Sequence, residues 1–361
     1  MTTADRTRSA RLAAHGAVST ALSLCSDHRL RELVDAAVPI GAGIGGKTLR
    51  LDVDGTPVFV KQVRLTDLER RPEHVRSTAN LFGLPSFCHY GIGTIGGPGW
   101  GAWRELAVHT MTTGWVVAGD HEGFPLMHHW RVLPDAGHPL PAELADVERA
   151  VTYWGGGPAV RRRIEALQGS SASLLLFLEY IPQTLHDWLS ARMDAGGEAA
   201  EHALAWVDDE LSAGVSFMNG HGLLHLDTHF ENILTDGHRL YLADYGLAIS
   251  SRFDLTTDEA AFVAEHEAYD RDYVATYLVN WLAVALYEYQ GDERRAFVRA
   301  CAEGSAPEGA PAAVAAILAR DAPVAAVVGG FHHRFQQKSR ETPYPREAAR
   351  QAARRGLRAP S

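Results

Sequence analysis

The 361-residue chain is predicted to be an α+β protein, with a small antiparallel sheet in its first half and a mainly helical second half. Three observations predict this class. Leu49, Leu51 and Val53 alternate with polar residues up to Asp54-Gly55, and Val58, Phe59 and Val60 follow, which is the pattern of two strands joined by a two-residue turn. Leu174 to Tyr180 reads LLLFLEY, a continuous apolar run of strand length. From Glu201 to Met218, the residues Leu204, Val207, Leu211, Val215 and Met218 recur at helical spacing, and Asn219-Gly220 closes that helix.

The remaining elements follow the same rules. Residues 1–36 read as helical, with Ser26 as the N-cap of the segment ending near Ala36. Residues 41–46 are glycine-rich. The stretch 64–100 is dense in Gly and Pro and takes no assignment. Trp103 to Thr113 reads as helix and Leu126 to Val132 as strand. Helical patches at 141–153 and 158–167 are separated by Gly155-Gly156-Gly157-Pro158. Leu223 to Leu247 reads as strand, loop and strand, and the chain from there to about residue 330 as alanine-rich helix. Residues 331–361 carry eight basic and two acidic residues, the composition of a solvated tail or of a docking surface for an anionic partner.

Composition narrows the function. Apolar residues make up 46% and charged residues 22%, which excludes general disorder. No apolar run approaches the roughly 18 uncharged residues of a membrane helix. Cys25, Cys88 and Cys301 are odd in number and widely spaced, so neither a disulfide framework nor a zinc knot is expected, and a reducing, cytoplasmic setting is. The arginines and alanines of the first 25 residues are read as an N-terminal helix rather than a leader. A net charge of −10 argues against nucleic acid as the partner.

The chemistry concentrates in residues 221–250, HGLLHLDTHFENILTDGHRLYLADYGLAIS. His225-x-Asp227 is followed by Asn232, and an apolar strand leads to Asp244-Tyr245-Gly246. An aspartate and an asparagine on one tight loop can point into a single site, and a second aspartate at the end of a neighbouring strand can face them. Two carboxylates and an amide oxygen are hard ligands suited to Mg²⁺. One carboxylate is then free to orient a hydroxyl nucleophile. Upstream, Lys61 lies in the apolar strand VFVKQ, and it is one of only three lysines among 34 basic residues.

These segments resemble the catalytic and metal-binding loops of the protein-kinase-like superfamily, H-x-D-x-x-x-x-N followed by D-F-G, here HLDTHFEN and DYG. The resemblance spans residues 38 to about 290. It implies a two-lobed fold, with an N-lobe at 38–180 and a C-lobe at 181–330, flanked by an N-terminal helical extension at 1–37 and the basic tail. It implies ATP or GTP with Mg²⁺ as the cofactors. Gly43, Gly45 and Gly46 would cover the phosphates, Lys61 would contact the α- and β-phosphates, and a glutamate on the next helix would pair with Lys61. Glu105 in WRELAVHTM is the first choice for that glutamate, ahead of Glu69 and Glu73, and this choice requires an insertion of about 40 residues after Lys61. The connector LLLFLEYIP would place the backbone from Glu179 to Ile181 against a purine. Asn232 and Asp244 would hold the metal, and Asp227 would accept the proton of the acceptor hydroxyl. His225 would support the loop.

Residues 41–48, GAGIGGKT, also satisfy the phosphate-loop pattern G-x-x-x-x-G-K-[ST]. That loop needs a helix after it, and here the strands of a hairpin follow. Two observations favour a small-molecule or small-peptide kinase over a protein kinase. His229 stands two residues after Asp227, as in aminoglycoside phosphotransferases, and no A-P-E segment follows DYG. A divergent bacterial Ser/Thr protein kinase and a nucleotide-binding pseudokinase scaffold are the alternatives. The acidic residues Asp254, Asp258, Glu259, Glu265, Glu267, Asp270 and Asp272 read as a solvated helix face, or as an attractor for a cationic acceptor.

Overall fold

The computed structural model describes residues 3–43, 46–135 and 140–357. Helices α1 (Thr3–Ser23) and α2 (Asp27–Asp35) lead into strands β1 (Val38–Gly43), β2 (Gly46–Val53) and β3 (Thr56–Leu65). Ser26 caps α2, its hydroxyl accepting from the Arg29 amide at 3.2 Å. Asp54 and Gly55 turn the β2–β3 hairpin with φ of 50° and 82°, the left-handed pair that matches strand twist. After a long loop come α3 (Ala102–Ala118), β4 (Met127–Pro134), three short helices α4 (Ala142–Ala145), α5 (Val147–Tyr153) and α6 (Pro158–Gln168), and β5 (Ala172–Glu179).

The five strands form one antiparallel sheet in the order β1-β2-β3-β5-β4. Both of its faces are covered. On one, Val18, Leu22 and Leu30 of α1 and α2 pack on Leu49, Leu51, Val58, Val60 and Phe177. On the other, Trp103 and Leu106 of α3 pack on Val63, Leu65, Leu174, Leu176 and Leu178. β5 is thus buried on both sides, which is why its sequence is a continuous apolar run instead of an alternation.

The second half holds β6 (Gln183–Thr184), α7 (Leu185–Ala195), α8 (Gly197–Gly220), β7 (Leu223–Leu224), β8 (Ile233–Thr235), β9 (Leu240–Leu242), β10 (Ile249–Ser250) and α9 (Thr257–Glu265). Helices α10 (Tyr269–Tyr287), α11 (Gly291–Ala302), α12 (Ala312–Gln337) and α13 (Arg346–Gly356) complete it. The short strands pair as β7 with β10 and as β6-β8-β9, so the loops that join them are held at both ends.

The segment 140–168 packs into a core shared by both halves: Trp154, Val160 and Ile164 are buried in the same cluster as Val108 and Trp115 of α3 and Phe230, Tyr269 and Phe335 of the helical half. One expectation from the sequence is corrected, that of the C-terminal tail. Residues 331–357 are not a separate solvated tail. α12 runs through the expected break, and both Phe331 and Phe335 are buried. α13 then folds back on α12 through Ala349 and Ala352, and a Cβ on Gly356 would lie only 1.8 Å from the Arg320 carbonyl oxygen. Charge counting missed this because α13 turns its arginines to solvent while Ala349, Ala352 and Gly356 face inward. Among the described residues, α12 is the one helix long and apolar enough to cross a membrane. In this structure it is a packed core helix whose central Arg320 pairs with Asp208 of α8 at 2.6 Å.

Phe335→Ala should therefore cost about 3–5 kcal/mol, read as a fall in urea midpoint at constant slope. Leu357→Ala, which truncates an exposed side chain, should stay within about 0.5 kcal/mol.

Candidate active site

Lys61 sits in the central strand β3, opposite Thr48 and Leu176, and is 4% exposed. A lone ammonium at that depth would be costly. Its Nζ instead lies 2.6 Å from Glu105 Oε1 and 2.9 Å from Asp244 Oδ1. Burial works against the charged amine, but the carboxylates of Asp244 and Glu105 outweigh it and hold the lysine above its ordinary range.

Glu105 reaches Lys61 because of how α3 starts. Gly101, the N-cap, has no side chain to offer. The carboxylate of Glu69 does this work, accepting from the Ala102 amide at 2.9 Å while also holding Arg163 at 3.0 Å. Gly101 has φ of 119°, and a Cβ there would meet Glu69 Oε1 at 2.7 Å, so only glycine permits the approach. Glu69, nearer to Lys61 in sequence, thus fixes the helix that carries Glu105.

The loop from His225 to Asn232 is fastened from below by Asp270, a fully buried residue of α10. Its carboxylate accepts from the amides of His225 at 2.8 Å and Leu226 at 2.7 Å. His225 in turn donates from Nε2 to the Ala243 carbonyl at 2.8 Å, tying this loop to the one that carries Asp244. Asn232 donates to the Asp227 backbone oxygen at 3.0 Å and to its Oδ2 at 3.2 Å. The Asn232 carbonyl oxygen is then the atom it can offer a cation. Leu226 and Asp244 have φ of 66° and 62°, left-handed conformations that non-glycine residues rarely keep unless the surroundings enforce them.

The two carboxylates are tuned apart. Burial pushes Asp227 up to about 7, against the opposing pull of His229 3.7 Å away. The Asp244 side chain is 47% exposed; partial desolvation raises it, but the Lys61 ammonium prevails and holds it at about 2. Asp227 Oδ1 is buried without a hydrogen-bond partner. The backbone of Gly91 passes so close that a Cβ there would lie 1.9 Å from that oxygen.

Asp227, Asn232, Asp244, Glu105 and His229 all line one cavity of about 320 Å³. Much of its remaining wall is the segment Gly91 to Gly101, which has six glycines in 11 residues. Sequence reasoning missed this segment as part of the site. Its glycine density was visible, but nothing local shows which side chain a glycine must accommodate. Asp270 was missed because it stands among other acids.

Other expected residues fall as follows. Gly43 and Gly46 face each other across the β1–β2 turn, and Gly46 must be glycine because a Cβ would lie 2.1 Å from the Gln62 carbonyl oxygen. Gly45 lies outside the described residues. Residues 46–53 form a strand and not a helix, which removes the phosphate-loop reading of GAGIGGKT, and Lys47 pairs with Gln62 one position off the Thr48–Lys61 pair, on the opposite sheet face. Glu179 and Ile181 lie where β5 leaves the sheet. The Glu179 amide donates to the Leu126 carbonyl at 2.8 Å, and its carboxylate is clamped by Arg11 of α1 at 2.7 Å. The acidic residues at 254–272 are not one solvated face. Glu259, Asp270 and Asp272 are buried, and Glu259 pairs with Arg104 at 2.6 Å.

No family model matches the chain, and no curated protein matches it in sequence. Among the described residues, no group of three or more His, Cys, Asp or Glu is placed to hold a metal. The oxygen set of Asp227, Asn232 and Asp244 does fit a hard cation such as Mg²⁺, since it combines two carboxylates, one held ionised at low pH, with an amide carbonyl.

The raised Asp227 has a consequence for stability. Folded Asp227 holds its proton up to about pH 7, whereas the unfolded chain releases it near 3.8. Stability that is fully present below 3.8 is therefore lost as pH rises through 7. Asp227→Asn should be more stable than the native chain at pH 8, by an order of 2–4 kcal/mol, with the difference vanishing below pH 4. Thermal melts across that range measure it.

Proposed function

We propose that this chain is a protein-kinase-like phosphotransferase that moves the γ-phosphoryl of Mg-ATP, or Mg-GTP, to a hydroxyl of a small molecule or small peptide. One observation carries the reading. Lys61, bonded to both Glu105 and Asp244, borders the same site as Asp227, whose carboxylate Asn232 braces on one oxygen. The sequence motifs and this clustering support it together.

In this reading Asn232 and Asp244 would hold Mg²⁺, whose charge would offset that of the phosphates. Lys61 exchanges part of its contact with Asp244 for the α- and β-phosphates, while Glu105 keeps the ammonium in place. Asp227 orients the acceptor hydroxyl and takes its proton. The oxygen bonds to the γ-phosphorus as the bond to the leaving nucleoside diphosphate breaks. Little covalent chemistry falls to the protein, so positioning and charge neutralisation supply the rate.

The segment after Asp244-Tyr245-Gly246 favours a small acceptor. It passes through β10 at Ile249–Ser250 and enters α9 at Thr257, where the buried Arg104–Glu259 pair secures it. That leaves little chain for a peptide-docking segment.

Three outcomes are expected. Mg-ATP should raise the melting temperature, and EDTA should cancel the rise. Asp227→Ala should lower kcat by at least about 10³-fold while keeping the Mg-ATP stabilisation. The acid limb of kcat/KM should lie near pH 7, with activity rising as Asp227 loses its proton. The identity of the acceptor class is read with γ-labelled ATP and a host extract split into protein and small-molecule fractions. Asp227-dependent label in the protein fraction would favour a divergent protein kinase. A chain that transfers no label and ignores Mg-ATP is not a kinase.

A further inference from the structure

Helix α1 takes no part in the chemistry proposed above, yet it is fastened to three segments that carry it. Val18 and Leu22, in its second half, pack on the sheet, and Leu12 packs against the core that both halves share. Two arginines of its first half, Arg8 and Arg11, make the remaining contacts.

Arg11 is buried and fully engaged. Its Nε and Nη2 donate to the two oxygens of Glu179 at 2.8 and 2.7 Å, and Nη1 and Nη2 donate to the carbonyls of Glu122 at 3.0 Å and Phe124 at 2.5 Å. The guanidinium also lies 5.2 Å from the ring centre of Tyr241 in β9. A planar fork of donors can hold this set, whereas a single ammonium cannot. Glu122 to Phe124 is the turn from α3 into β4, and its Gly123 carbonyl accepts from the Leu242 amide of β9 at 3.0 Å. Arg11 thus joins the end of β5, the end of the α3–β4 turn and the strand that leads to Asp244.

Arg8 holds the far end of the helix that carries Glu105. The last turn of α3 has no basic residue of its own to meet its free carbonyls. Arg8 supplies the cation, donating to the Val117 carbonyl at 3.0 Å and the Val116 carbonyl at 3.3 Å, and pairing with Glu122 at 3.2 Å. Gly119 ends α3 with φ of 84°, and a Cβ there would lie 3.0 Å from Arg8 Nη2, so the glycine both turns the chain and admits the arginine. Glu69 fixes the start of α3, and Arg8 fixes its end.

We propose that Arg11, assisted by Arg8, is a positioning residue for nucleotide binding: through it α1 straps together the β5 exit, α3 and β9, and so sets the spacing of the connector, Glu105 and Asp244. The assignment rests on the phosphotransferase reading above. Neither arginine lines the cavity beside Asp227, so their effect passes through the segments they hold. The physical need is plain at the β5 exit, where the chain crosses from the sheet to β6 through residues 180–182 alone. So short a link acts as a hinge unless side-chain contacts fix the elements on either side of it. Arg11 makes such contacts to both, through Glu179 at the end of β5 and Tyr241 in the helical half.

Calorimetry with Mg-ATP and Mg-GTP on the full-length protein tests this, comparing the native chain with Arg11→Gln, Arg8→Ala, Glu179→Gln and the Arg11→Gln/Glu179→Gln double variant. Val298→Ala, at a buried position of α11, serves as a control that thins the core elsewhere. Arg11→Gln should raise the nucleotide Kd about tenfold or more, and Arg8→Ala should raise it by a smaller factor. Glu179→Gln should weaken binding too, and the double variant should be no weaker than the worse single one, because the same contact is broken in each. Val298→Ala should lower the melting temperature while keeping Kd within about twofold of native. Kd within about twofold of native in both arginine variants overturns the inference and leaves nucleotide binding standing, as does an equal loss in Val298→Ala, which would mark general loosening. Should Arg11→Gln not fold, Arg8→Ala decides by the same criterion. A native chain that binds neither nucleotide overturns the phosphotransferase reading, and the inference with it.

Discussion

The structure depends on a buried lysine that must find two carboxylates. Lys61 lies in the middle of the sheet, where an unpaired ammonium would be expelled or neutralised. Its partners come from 44 and 183 residues further along the chain. For Glu105 to arrive, α3 must start at Gly101 and lie across the sheet. For Asp244 to arrive, the loop after β9 must take a left-handed turn. The first condition is met by the buried Glu69 carboxylate at the start of α3.

Those contacts share a pattern. Glu69 with Arg163 anchors the start of α3 and the wall of the cavity, and Arg104 with Glu259 joins α3 to α9. Asp270 holds the amides of the His225–Asn232 loop, and Arg11 holds Glu179 where the chain leaves the sheet. Buried ion pairs are poor sources of net stability, but breaking one strands a charge and costs about 3–5 kcal/mol. Their effect here is to give the sheet, α3 and the loops few alternative arrangements. Strain at Leu226 and Asp244 can persist only inside such a frame.

Asp227 stands apart from this economy of matched charges. It is braced by Asn232 on one oxygen and left without a partner on the other, with Gly91 closing on it. Burial raises it toward neutrality, whereas Asp244, 17 residues on, is held fully ionised by Lys61. Two aspartates of one motif thereby acquire different chemistry from their surroundings, one suited to accepting a proton and the other to binding a cation.

Much of this was legible in the sequence. Alternation gave the β2–β3 hairpin, the apolar run gave β5, and helical spacing gave α8, because these patterns report burial on one face or two. The spacing of Asp227, Asn232 and Asp244 marked the site, since short loops between strands leave such residues few places to point. Glu105 could be chosen over Glu69 because apolar neighbours signal a packed helix. What only the tertiary structure decided are contacts between segments remote in the chain. Asp270 looks like Asp254 or Glu267 until α10 buries it beneath the His225 loop. The glycines of 91–101 gain meaning only from Asp227 and Glu69, which they must let approach. The basic C-terminal segment becomes core because α12 continues through it and α13 returns along α12. Local sequence fixes which residues can be buried or charged; which of them meet is a property of the closed fold, where each buried charge must find its counter-charge.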